Sequence, residues 1–236
     1  IGGSNLIVAN NLSTRDHVES ITVYDNNIHY EKLKSEKINI VSTFFKADTM
    51  PDNTNCVIHT HLIEHLYNPV EEIKKIGDKL KTNDYMIFSA PRIDNMLESF
   101  YTNAMNFEHT YLLCDKKLQY IVNSAGFKIV EKRNFSDYCT FYACQKVKNV
   151  LSFEIEKYED ENLINNFVSH HKKEVDKILC EIGSKKEDTF VFGAHIFTQF
   201  LLKFGLKEDL FSCVLDNDKK KIGNRLYGTN LKINSP

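Results

Sequence analysis

Four short stretches hold residue types whose chemistry goes beyond packing. Gly2-Gly3 precedes a possible helix starting near Asn5, and Asp25 with Asn26 closes the β-branched run Ser20–Tyr24. A glycine turn lets backbone amides approach a ligand at a helix N-terminus, and an acid at the next strand end can accept both hydroxyls of a ribose. A packing turn and a turn-capping acid account for the same residues. The second stretch runs from His59 through Thr60, His61, Leu62, Ile63, Glu64 and His65 to Asn68-Pro69, and the third is Asn106-Phe107-Glu108-His109-Thr110-Tyr111. Imidazole titrates near neutrality and suits proton removal from an acceptor, so His109 is the first candidate base and His61 the second. Glu108 would orient His109 or bind substrate, with Tyr111 nearby. The fourth stretch, Gly193-Ala194-His195, places amides ahead of a helix-like run, where an anion such as a phosphate is favoured.

His61-Leu62-Ile63-Glu64-His65 also fits the HxxEH pattern of inverted zinc peptidases. That chemistry needs both histidines on one helical face and a third ligand. Here the segment follows a strand directly, Pro69 comes four residues after His65, and no third ligand stands out, so no metal is expected.

These stretches need a frame. Strand candidates are Ser20–Tyr24, Ile38–Phe45, Asn55–His59, Tyr85–Ser89, Phe127–Lys132, Thr140–Val147, Thr189–Phe192 and Leu210–Leu215. Helical spacing appears over Pro69–Leu80, with proline near its start, over Leu112–Ala125, stopped by Gly126, and over Ile196–Phe204. Glu154–Ile182 reads as one long helix or two linked ones. Strands alternating with helices imply a largely parallel sheet covered on both faces, with the pair after Gly126 closing one edge antiparallel. Residues 1–150 then form one domain, 151–182 a helical linker and 183–236 a βαβ lobe.

The composition suits such a frame. A chain of 236 residues with 42% hydrophobic and 26% charged residues can bury a sizeable core, and a net charge of −2 supplies no basic field for nucleic acid or anionic lipid. No run approaches the roughly 20 apolar residues of a membrane span, and no signal core follows a charged start, so a cytoplasmic location is expected. The six cysteines, with no CxxC pair, read as buried free thiols. Both ends of the chain read as trimmed.

The strand ending ahead of the His/Glu/His segment, followed by Asn68-Pro69 and an amphipathic helix, resembles the region after the cofactor loop in class I S-adenosylmethionine-dependent methyltransferases. Leu80–Pro91 resembles that family's helix, turn, strand and proline, with Asn83-Asp84 where Pro-Gly is common, and Asn106–Tyr111 resembles its stretch after the fifth strand. Val191–His195, Val214–Gly223 and Leu226–Thr229 are similar to the C-terminal lobe of nucleotide-sugar C-methyltransferases. Two positions depart from the pattern: the loop reads Gly-Gly-Ser-Asn, and Asn106 stands where an aromatic is common.

The resemblance implies a Rossmann-like α/β sheet with a second, smaller α/β lobe. It implies S-adenosylmethionine held by Gly2, Gly3, Asp25, Asn26, Thr60, His61 and Leu62, with His109, Glu108 and His61 catalytic. Tyr111, His65, Gly193, Ala194 and His195 would contact a small, nucleotide-linked substrate. Transfer to carbon, transfer to oxygen on another phosphate-linked acceptor, and a non-catalytic binding protein on this fold all remain open.

Overall fold

The computed structural model describes residues 1–3, 6–26, 35–106, 108–149, 161–183 and 189–236. In chain order they form α1 (Ile7–Ser13), β1 (Ile21–Tyr24), β2 (Ile38–Val41), β3 (Cys56–Thr60), α2 (Pro69–Lys79), β4 (Tyr85–Pro91), α3 (Ile93–Glu98), α4 (Asp115–Ser124), β5 (Phe127–Ser136), β6 (Cys139–Lys146), α5 (Glu161–Ile182), β7 (Val191–Phe192), α6 (Ile196–Lys203), β8 (Val214–Leu215) and β9 (Ile233–Asn234). The fold is α/β, as the alternation of elements predicts. The expected helix start at Asn5, Phe107 of the third stretch and the onset of the long helix at Glu154 lie outside the described residues.

The chain divides into two compact units, one of residues 1–92 and 110–156, the other of 93–109 and 157–236. In the first unit, β1 and β2 pair in parallel, and a four-stranded sheet runs in the order β3-β4-β6-β5. β3 and β4 are parallel, while β4-β6 and β6-β5 are antiparallel, so the last two strands do form the expected antiparallel edge. β2 stops at Val41 rather than Phe45, because its partner β1 offers only four residues. β5 continues to Ser136, well past Lys132, held by its long pairing with β6 through two register shifts.

Ile1 and Gly2 lie between the two sheets. The Ile1 ammonium donates to Ile58 O at 2.6 Å, and the Gly2 amide donates to Tyr24 O at 2.9 Å. One residue pair thus bonds to β3 on one side and β1 on the other. The main core joins Met86, Phe88 and Ala90 of β4 with Ile73 and Ile76 of α2 and Leu118, Ile121 and Val122 of α4. Leu6, Ala9, Val23 and Ile38 form a separate small cluster around β1 and β2.

α2 follows from proline at its first turn, Glu71 and Glu72 near its positive end and an apolar stripe on one side. Its interior Gly77 looks like a propensity fault. A Cβ there would sit 2.3 Å from Ala125 O at the end of α4, so the missing side chain is what lets the two helices approach. Lys146 Nζ donates to the same carbonyl at 2.8 Å. α4 begins at Asp115, not Leu112, because Cys114 is extended.

In the second unit β7, β8 and β9 form a parallel sheet. Its core comprises Val175, Ala194, Leu206, Phe211, Val214, Leu226, Leu231 and Ile233, with Ile178, Leu179 and Ile182 of α5 packed against it. α5 is therefore a wall of this unit rather than the linker that a 151–182 division makes it. Residues 93–109 also belong here, not with the 1–150 domain. Among the described residues no helix is long and apolar enough to cross a membrane. Four cysteines are buried free thiols as expected, but Cys56 and Cys180 are exposed.

Candidate functional site

The first-unit site lies at the carboxyl ends of the parallel strands. Gly2 adopts φ +72°, and a Cβ on it would meet nothing within 4 Å, so its outer side is open. Gly3 is the reverse case: a Cβ would fall 2.8 Å from the Val23 methyl, and only glycine lets the turn lie on β1. The Gly2–Tyr24 bond sets this turn beside Asp25, which is half-buried, while the Ile1–Ile58 bond sets it beside β3. The turn thus lies against the last residue of β1, next to Asp25, and against Ile58 of β3, two positions before Thr60. Asn26 is exposed just beyond it.

β3 ends in a bend that His61 makes with φ +47°, an unusual backbone for a residue other than glycine. The ladder nevertheless extends to it, since its amide donates to Ser89 O at 3.1 Å. The bend brings His61 Nδ1 to 3.0 Å from Glu64 Oε1, with the His61 side chain 48% and that of Glu64 1% exposed. The carboxylate accepts, which fixes the imidazole with Nδ1–H toward Glu64 and leaves Nε2 as its acceptor nitrogen. Among the described residues Glu64 Oε2 has no hydrogen-bond partner. His61 Nε2 lies 3.5 Å from Cys139 Sγ at the start of β6.

Only Ile63–His65 is helical here, a single 3-10 turn, so His61 and His65 do not share the helical face of a zinc peptidase. Leu62 and His65 are half-buried. Thr110 fastens the loop, its amide donating to Glu64 O at 2.9 Å and its hydroxyl to Leu66 O at 2.7 Å. Tyr111, expected to contact substrate, spends its hydroxyl on Tyr67 O at 3.0 Å.

His59 is a core residue rather than a ligand. It is 1% exposed, its ring stacks on Phe88 with centroids 5.2 Å apart, and among the described residues neither ring nitrogen has a hydrogen-bond partner. Burial lowers its pKa from the ordinary 6.5 to about 3. The folded chain keeps the ring neutral where the unfolded chain would take a proton. Stability therefore falls as pH drops below about 6.5 and continues to fall toward 3, by roughly 1 kcal/mol per pH unit. Urea unfolding at pH 7 and pH 5 checks this against His59→Leu: the parent should lose more stability than the variant, and equal losses would refute it.

Glu108 and His109 belong to the second unit. Glu108 is exposed, its amide bonded to Asn106 Oδ1, and His109 is half-buried, its amide bonded to Asn106 O. The Gly193-Ala194-His195 turn corrects an expectation. The Gly193 amide donates to Leu215 O at 2.7 Å, the Ala194 amide to Asp216 Oδ2 at 2.7 Å and the His195 amide to Gly193 O at 2.9 Å. All three are engaged within the fold, so they form no anion cradle. Asp216, which also accepts from the Asp218 amide and from Lys221, holds the turn, and those donors keep its carboxyl below the usual range.

The His195 side chain instead lines a cleft of about 540 Å³ with Phe100, Tyr101, His170, Glu174 and Phe197. His170 stacks on Phe100 with centroids 3.9 Å apart, and His171 Nε2 donates to Phe100 O at 3.1 Å. Sequence reading missed these residues, although His170 and Glu174 stand four apart on one helix.

No family model and no curated protein matches this sequence. Several solved structures are similar in backbone course. A putative methyltransferase solved with the Haloferax volcanii Trm112 activator is 10% identical with a TM-score of 0.49, over 62% of this chain and 80% of that one. The riboflavin-derivative dimethyltransferase RosA of Streptomyces davawensis is 12% identical with a TM-score of 0.48, over 62% and 48%. The [4+2]-cyclase SpnF is 11% identical with a TM-score of 0.44, over 62% and 72%.

Proposed function

We propose that the chain is an S-adenosylmethionine-dependent methyltransferase acting on a small, nucleotide-linked sugar or related precursor. The observation that carries this reading is the open Gly2 turn at the carboxyl ends of parallel strands, with Asp25 after β1 and Thr60 ending β3. Ligands of open α/β sheets bind at such ends. The residues fit the cofactor: Asp25 has the chemistry to accept ribose hydroxyls, Gly2 leaves room for close approach, and Leu62 offers an apolar side. The bound cofactor supplies an electrophilic methyl group on a sulfonium.

The chain's own work is to align an acceptor with that methyl and to take its proton. The His61–Glu64 pair suits the second task, because the buried carboxylate fixes the ring and steadies the imidazolium formed. Within the second unit, His109 and Glu108 remain proposed substrate-side groups, and His195 and the aromatics of its cleft suit a nucleotide base. Oxygen is the alternative acceptor atom.

Calorimetry with S-adenosylhomocysteine tests the pocket. Micromolar binding is expected, weakened at least tenfold in Asp25→Ala. No binding, or equal binding by the variant, overturns the reading. Incubation with labelled cofactor and a panel of nucleotide-linked sugars then places the methyl on carbon or oxygen by NMR. Binding with no methyl transfer to any acceptor would make this a binding protein.

A further inference from the structure

We infer that Cys139, His61 and Glu64 form a nucleophilic thiol site that captures a small carbon electrophile. Sγ of Cys139 stands 3.5 Å from His61 Nε2, and Nδ1 of the same ring stands 3.0 Å from Glu64 Oε1. The order thiol, imidazole, carboxylate is that of an activated nucleophile, a base within reach and a third group orienting the base. Remote parts of the chain supply it, with 78 positions between His61 and Cys139.

Two further observations point to use rather than packing. Glu64 is 1% exposed, yet among the described residues its Oε2 has no hydrogen-bond partner, so a costly buried carboxylate is kept beside this imidazole. His61, which meets both neighbours, has a left-handed backbone at φ +47°, a conformation that collects at functional sites. Burial pushes the Cys139 thiol up, Ser89 opposing and the Glu64 charge adding to the shift, which disfavours a free thiolate, so attack by Sγ needs the neighbouring imidazole to take the proton as the new bond forms.

The step balances. The Sγ–carbon bond forms as the bond from carbon to its leaving group breaks, the leaving group departs with the bonding pair, and the thiol proton ends on Nε2. Glu64 then faces an imidazolium across the Nδ1 bond. A soft carbon centre fits a sulfur nucleophile and needs no metal.

The probe is iodoacetamide at pH 7, with alkylation followed at each cysteine by peptide mass spectrometry. No cofactor is present, so the outcome is separate from the methyl-transfer reading. Cys180 is the exposed reference, and Cys144, 0% exposed against 9% for Cys139, reports an intact fold by staying unlabelled. Cys139 should react at least tenfold faster than Cys180. His61→Gln should slow Cys139 at least tenfold and leave Cys180 unchanged, with Glu64→Gln giving a smaller loss. The inference is overturned if Cys139 is no faster than Cys180 in the parent, or if its rate survives His61→Gln. Should Cys144 label in a variant, the parent comparison alone decides.

Discussion

Replacing Phe88 by alanine should lower the stability of the first unit by about 3–5 kcal/mol, the range for emptying a buried aromatic position. The ring is fully buried, stacked between His59 at 5.2 Å and Tyr142 at 4.8 Å, and it belongs to the strand that pairs with both β3 and β6. Little can collapse into the space, because the flanking rings are held by their own strands and Tyr142 donates its hydroxyl to Asp115 at 2.7 Å. Urea unfolding followed by tyrosine fluorescence measures the loss. Phe88→Leu, which keeps most of the volume, should cost much less, and a loss below about 1 kcal/mol in Phe88→Ala would show that the layer repacks freely.

His61→Gln should depress methyl transfer by a factor of about 10²–10⁴, the usual contribution of a positioned general base. Affinity for the cofactor product should change less than threefold, since the lost nitrogen serves the acceptor. Single-turnover kinetics with labelled cofactor, beside calorimetry on the same sample, separates the two effects. Equal losses in rate and affinity would place His61 in binding alone; an unchanged rate would remove it from the proton path. Glu64→Gln keeps the shape and removes the charge behind the ring, so its rate should fall between parent and His61→Gln.

Local chemistry made much of this legible in the sequence. Glycine before a helix, an acid after a β-branched run and histidines after a strand each follow from neighbours a few residues away, and the Gly2 amide does bond to Tyr24 O, next to Asp25. Whatever depends on distant pairing was hidden. Cys139 meets His61 only because β6 pairs antiparallel with β4 in a register that sets Cys139 opposite Pro91. The Gly193 turn carries the residue types of an anion site, but Asp216, 22 positions away from Ala194, takes the amide the anion would need. α3 and β9 are short, at six and two residues, and give no periodicity to read. The long helix looked like a linker because its charges were legible and its partner surface was not.

The seam at Ile1 and Gly2 also bears on how the first unit comes apart. β1 and β2 keep their own small cluster of Leu6, Ala9, Val23 and Ile38, distinct from the main core. Cooperativity is carried by shared buried surface, and here the bonds described across the seam are few. The expected lowest opening of this unit is therefore one in which α1, β1 and β2 detach while β3 through β6 stay folded. Asp25 leaves with the detached part and Thr60 stays behind, so a ligand gripping both would act as a clasp, raising the cost of that opening by its own binding free energy.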